Sequence, residues 1–159
     1  MQQNKQLSDH FTLYEMIASS DAVKYSIDNS PNQDQIGNLT KLCNFVLEPI
    51  RMHFSKPVIV SSGYRCKELN KRIGGSSTSD HCEGKAADIK IAGIDNLELF
   101  NWIKENLTYK QLILEFYTSG SSGNSGNSGW VHVSYCTSEN KNESLRAIKE
   151  NGKTVYIKF

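Results

Sequence analysis

Three short segments of the chain alternate apolar and polar residues with a period of two, and each sets one ionisable side chain opposite its apolar face. In Trp130-Val-His-Val-Ser134, His132 shares a face with Trp130 and Ser134, while Val131, Val133 and Tyr135 take the other. In Ala86-Ala-Asp-Ile-Lys90, Asp88 opposes Ala87 and Ile89, and in Gln111-Leu-Ile-Leu-Glu-Phe-Tyr117, Glu115 opposes Leu112, Leu114 and Phe116. Alternation of this kind predicts strands with one buried face. If the three strands are neighbours with their polar faces together, His132, Asp88 and Glu115 converge, and the loop that begins the Asp88 strand brings in His81.

The N-terminal half reads as helical. Thr12-Leu-Tyr-Glu15 has the form of a capping box, which predicts a short helix burying Leu13, Met16 and Ile17. Between Pro31 and Phe54 the apolar residues Ile36, Leu39, Cys43, Val46, Leu47 and Ile50 recur at a helical period, and Pro49 is expected to kink or shorten the end of that helix. Pro57-Val-Ile-Val60 reads as a short buried strand, Ser61 to Arg65 as a loop, and Cys66 to Ile73 as a short helix stopped by Gly74-Gly75. Asp95 to Leu107 is a further capped helix with Leu99, Phe100, Ile103 and Leu107 inward. Ser119 to Gly129, rich in Ser, Gly and Asn, is expected to be a flexible loop between adjacent antiparallel strands. Asn151-Gly152 marks a two-residue hairpin near the C-terminus. Helices followed by a small, mostly antiparallel sheet give an α+β fold, and 159 residues fit a single domain spanning 1–159.

A net charge of +1, with 22% charged and 38% hydrophobic residues, supplies no field to attract nucleic acid or an anionic membrane, so a partner must be sought in a site. No run is apolar enough to span a bilayer and the N-terminus has no signal-peptide core, so cytoplasmic synthesis is expected. Cys43, Cys66, Cys82 and Cys136 are scattered without a C-x-x-C pair and read as free thiols, a disulfide being the lesser alternative. Two neutral imidazoles and one carboxylate would leave a fourth position free on a tetrahedral zinc ion, the open arrangement of hydrolytic zinc sites. Spacing alone leaves the plainer alternative open: a structural histidine on a strand and acids that cap turns.

Several stretches together resemble the zinc D-Ala-D-Ala carboxypeptidases, the M15 peptidase family, and in particular its compact bacterial and phage branch. They are Leu7-Ser-Asp-His-Phe-Thr-Leu-Tyr-Glu15, Leu47-Glu-Pro-Ile-Arg51, Ser61-Ser-Gly-Tyr-Arg65, Leu69-Asn70 with Gly74-Gly75, Ser79-Asp-His81 followed by Gly84-x-Ala-x-Asp88, and Gly129-Trp-Val-His-Val133. The resemblance implies a fold of the hedgehog and DD-peptidase type, with zinc bound by His81, Asp88 and His132. It also implies that Arg65 lies near the substrate, binding a carboxylate or the oxyanion, with Ser79 close by. Gly84 and Ala86 would keep the loop between His81 and Asp88 compact.

The chain departs from the wider family at Gly129, three residues before the last zinc histidine, where several members carry the catalytic acid. Glu115 is the substitute expected here, with a purely structural role as its alternative. His10 and His53 are expected to be capping or surface residues, Asp80 and Glu83 to have turn or solvent roles, and Tyr64, Tyr117 and Trp130 to be core or cleft residues, while Cys82, a ligand by type, yields to Asp88, which better matches the family. The function implied is a zinc peptidase, monomeric, acting on amide bonds of peptidoglycan stem peptides that involve D-amino acids. Which bond is cut, and whether the protein is cellular or phage-delivered, stays open. So does a zinc-stabilised binding module of the same fold without turnover.

Overall fold

The structure, a computed structural model, describes residues 5–119 and 128–159. Thr12 caps α1 (Leu13–Ile17) through the capping box the sequence predicts: its side chain accepts from the Glu15 amide, and the Glu15 carboxylate accepts from the Thr12 N–H at 2.8 Å. Leu13 and Met16 are buried, and Ile17 is half-buried. A short helix the sequence reading missed, α2 (Ser20–Lys24), follows at once, capped by Ser19.

The long amphipathic segment forms α3 (Gln33–Leu42), a π-helical turn (Cys43–Leu47) and α4 (Glu48–Phe54) in one continuous run. Pro49 does not shorten it as expected. The Glu48 N–H bonds five residues back to the Cys43 carbonyl, so the helix is re-registered just before the proline. Pro49 then sits in the first turn of α4, where its missing N–H breaks no helical bond. Glu48 ties the N-terminal loop to this helix: its Oε1 accepts from Ser8 Oγ and the His10 N–H, both at 2.7 Å, and its Oε2 from His10 Nδ1 at 2.8 Å. Two of the motifs found in the sequence, around His10 and Glu48, are thus the two halves of one clasp.

The remaining elements are β1 (Val58–Ser62), α5 (Lys67–Arg72), a 3-10 turn (Asp80–Glu83), β2 (Ala86–Ile91), α6 (Asn96–Asn106), β3 (Gln111–Glu115), β4 (Trp130–Ser134), β5 (Glu143–Glu150) and β6 (Lys153–Lys158). The sheet order is β1-β2-β4-β3-β5-β6, with β3 and β5 parallel and every other pair antiparallel. This is the expected α+β arrangement, with most helices preceding a mostly antiparallel sheet.

Leu99, Phe100 and Ile103 of α6 and Leu39, Val46 and Ile50 of the long helical run belong to one apolar cluster with Ala87, Ile89, Leu112, Leu114, Val131 and Val133 from the sheet. Alternation therefore sends Asp88, His132 and Glu115 to the other side of the sheet.

Three further expectations are corrected. The strand at Pro57–Val60 runs instead from Val58 to Ser62 and is an edge strand, so Ile59 is exposed. The loop expected from Ser61 accordingly begins only at Gly63. β3 stops at Glu115 rather than Tyr117, because Phe116 takes a left-handed φ of 54° and turns the chain out of the sheet. Most of the loop expected over Ser119–Gly129 lies outside the described residues, but the strands on either side of it, β3 and β4, are adjacent and antiparallel as expected. The C-terminal hairpin turns at Asn151 and Gly152, both at positive φ.

Candidate metal centre

His81 lies in the 3-10 turn that Ser79 caps by accepting from the His81 N–H at 3.3 Å. Gly84 ends that turn at a φ of 69°, and a side chain there would run into the Gln35 carbonyl of α3, so the bend demands glycine. His81 Nδ1–H donates to the Gly63 carbonyl at 2.7 Å, which leaves the Nε2 lone pair facing inward. Asp88 and His132 are directly opposed on β2 and β4. His132 Nδ1 stands 2.9 Å from Asp88 Oδ1, His81 Nε2 stands 3.3 Å from the same oxygen, and the two ring nitrogens are 3.2 Å apart.

These three atoms form a nearly equilateral triangle that could hold a metal ion, and the residues bearing them are all buried. A tetrahedral ion with bonds of about 2.0–2.1 Å has donor-to-donor edges of roughly 3.3 Å, close to every side of this triangle. Electrostatics agree with a ligand set. Burial, reinforced by the nearby His132 and Arg65 charges, lowers the His81 pKa despite the attraction of Asp88, so the ring favours its neutral form. Burial opposes the charge of Asp88, but hydrogen bonds from His132 and His81 outweigh it and hold the carboxyl well below the usual range.

The triangle opens into a cleft of about 530 Å³ whose walls include Arg65, Ser79, Glu115, Trp130 and Tyr156. Arg65 donates its backbone N–H to the His81 carbonyl at 3.2 Å, and its Nε is buried with no hydrogen-bond partner among the described residues. An orphaned guanidinium donor beside a polar cleft is a ready anion contact.

Glu115 shares the cleft face, one strand from His132 and opposite Trp130. Burial first, then the Asp88 charge, raises its pKa, the direction that suits a carboxylate taking up a proton. The adjacent Gly129 has a φ of 68°, and any Cβ placed on it would collide with the Glu115 carbonyl oxygen. No side chain of any kind fits at 129, so an acid at that position is sterically excluded and Glu115 is the carboxylate available from this edge.

The residues weighed lower in the sequence fall into structural places. Asp80 accepts from Lys110 Nζ at 2.7 Å, Glu83 is exposed, and burial raises the Cys82 pKa so that it stays a thiol. His53 stacks on Trp102 with ring centres 4.4 Å apart. Tyr64 is in the core, and Tyr117 donates to Asp95 Oδ2 at 3.2 Å. All four cysteines are free.

Sequence reasoning missed Tyr156, Lys110 and Gln111, which also line the cleft. The polar face of the Glu115 strand contains Gln111, a signal that could have found it. Nothing local marks Tyr156, whose place depends on how β6 joins the sheet.

Among the described residues no helix is long and apolar enough to cross a membrane. No curated protein matches the chain. A family model described as Peptidase M15 matches residues 9–134, which takes in the three clustered donors, Arg65 and Glu115. The chain belongs to the M15 peptidase family.

Proposed function

We propose that this chain is a zinc metallopeptidase that hydrolyses amide bonds involving D-amino acids in peptidoglycan stem peptides, as a D-Ala-D-Ala carboxypeptidase or a phage-type endopeptidase. The observation that carries the reading is the triangle of His81 Nε2, Asp88 Oδ1 and His132 Nδ1, with sides of 2.9–3.3 Å at the floor of a peptidase-family cleft. Two imidazole nitrogens and one carboxylate oxygen suit zinc and leave one tetrahedral position open.

His81, Asp88 and His132 would hold the zinc ion, which when bound would supply Lewis acidity toward a carbonyl and lower the pKa of water toward about 7. Glu115 takes the proton released as water attacks the carbonyl and returns it to the leaving amine; its raised pKa keeps the carboxylate basic enough for the first transfer. Arg65, whose Nε has no partner among the described residues, binds the peptide carboxylate or the oxyanion that develops on the carbonyl. Ser79 holds the His81 backbone and lines the same wall. The chain acts as one domain and as a monomer, at the cell wall where such peptides occur.

Incubation of the zinc-loaded protein with defined muropeptides, followed by mass spectrometry, tests this reading. Loss of a mass equal to D-alanine, or cleavage at an L-Ala–D-Glu or cross-bridge bond, identifies the reaction. Muropeptides that bind but stay intact would overturn it in favour of a binding module without turnover.

A further inference from the structure

The outer wall of the cleft is built by strands that follow the family-matched segment. The match ends at Ser134, and β5 and β6 come after it. Pairing register nevertheless carries one row of residues across the sheet: Trp130 on β4, Glu115 on β3, Ala147 on β5 and Tyr156 on β6. A parallel row two residues along carries Asp88, His132 and Ile113. Residues in these rows share a face, so Tyr156 stands on the same side of the sheet as Glu115 and the metal-binding triangle.

With neighbouring strands about 4.8 Å apart, the Cα atoms of Glu115 and Tyr156 are separated by about 10 Å, a gap that two long side chains can close from opposite ends. The residue between them is Ala147, which is fully covered. A methyl is short enough to be sealed beneath its neighbours, and a longer side chain there would hold them apart. Tyr156 itself is 55% exposed and lines the cleft, and its hydroxyl has no hydrogen-bond partner among the described residues. Burial first, then the charges of Glu115 and Asp88, raises its pKa, so the phenol keeps its proton and acts as a donor.

We infer that Tyr156 is a substrate-binding residue whose hydroxyl donates a hydrogen bond to a peptide oxygen on the leaving-amine side of the scissile bond. The side follows from the order of the strands and rests on the peptidase reading above. Glu115 lies between the triangle and Tyr156, and it is Glu115 that hands the proton to the amine, so the residue that departs extends toward β6. The acceptor is a terminal carboxylate or a backbone carbonyl, either of which offers the same lone pairs to a phenol.

The test compares zinc-loaded Glu115→Gln protein with the Glu115→Gln/Tyr156→Phe double variant. The probe is a stem pentapeptide that contains both an L-Ala–D-Glu and a terminal D-Ala–D-Ala bond, supplied as the free acid and as the ethylamide in which ethylamine replaces the last residue and the terminal carboxyl group is absent. Titration calorimetry should show Kd for the free acid raised about tenfold by Tyr156→Phe, the loss expected for one hydrogen bond. Zinc content and melting temperature should not change. A tenfold effect kept with the ethylamide assigns the acceptor as a backbone carbonyl, and one lost with it assigns the terminal carboxylate. Equal Kd values within about twofold for the free acid, or no binding by either protein, overturn the inference. Hydrolysis by the wild-type protein, run in parallel, judges the peptidase reading separately: an intact peptide would sink that reading and with it the leaving-amine side, while the affinity ratio still decides whether the Tyr156 hydroxyl binds the peptide.

Discussion

Gly129→Ala adds one methyl group, and the structure gives that methyl nowhere to go. Gly129 holds a φ of 68°, where an L residue is disfavoured by about 1–2 kcal/mol. The new Cβ would overlap the Glu115 carbonyl oxygen, a backbone atom within a paired strand that cannot rotate away. Relief requires β3 and β4 to part at the Glu115–Trp130 pair, which forfeits a ladder hydrogen bond and leaves buried polar groups short of partners, at about 1–3 kcal/mol. The two contributions give a loss of roughly 2–5 kcal/mol, reaching the upper end of what single substitutions do. For a chain of this size each kcal/mol moves Tm by about 2–4 °C, so a drop of about 4–20 °C is expected in thermal melts followed by far-ultraviolet circular dichroism. Peptidase activity should fall as well, because the strand end that displaces is the one that carries Glu115. A variant within about 1 kcal/mol of wild type and fully active would refute both the steric argument for the missing acid at 129 and the close fit of β3 against β4.

Glu115→Gln keeps size and hydrogen-bonding capacity but cannot cycle a proton, so kcat should fall by about 10²–10⁴-fold while zinc content, measured by atomic absorption, stays at the wild-type level. Removal of metal with a chelator should abolish activity and lower Tm, since an ion present at a hundredfold over its Kd contributes about 3 kcal/mol, and added zinc should restore both. Glu48→Gln should weaken the clasp on Ser8 and His10 and lower stability at pH 7 by about 1–3 kcal/mol, measured by urea denaturation. Burial works against the charge of Glu48, but the hydrogen bonds from Ser8 and His10 set its pKa below the ordinary 4.5. A folded-state pKa below the unfolded one adds stability above the unfolded value, lost as pH falls through the folded value. The gap between wild type and Glu48→Gln should therefore be full near neutrality and close in acid below pH 4.5.

Local physics settles a good part of this protein. The capping box at Thr12–Glu15, the helical period from Ile36 to Ile50, the Asp95 cap and the Asn151-Gly152 turn each depend on residues close in sequence, and each forms where its pattern predicts. Period-two alternation likewise decided that Asp88, Glu115 and His132 would leave the core face of their strands, because a strand offers only two faces and Val, Ile and Leu claim one of them. Alternation says nothing about which strands are neighbours or in what register. The order β2-β4-β3 and the Asp88–His132 register put two donors 2.9 Å apart, and the Gly63 carbonyl, far from His81 in sequence, chooses which imidazole nitrogen faces them. Long-range contact also decided what looked exceptional locally. Pro49 is absorbed by a π-helical turn, and Gly129 is bare because a neighbouring backbone occupies the space of a side chain. Tyr156 reaches the cleft only because β5 adds in parallel beside β3 and carries β6 with it. Residue type fixed the donors available to a metal centre, whereas their assembly depended on strand pairing, which joins groups distant in sequence by backbone hydrogen bonds that no local pattern encodes.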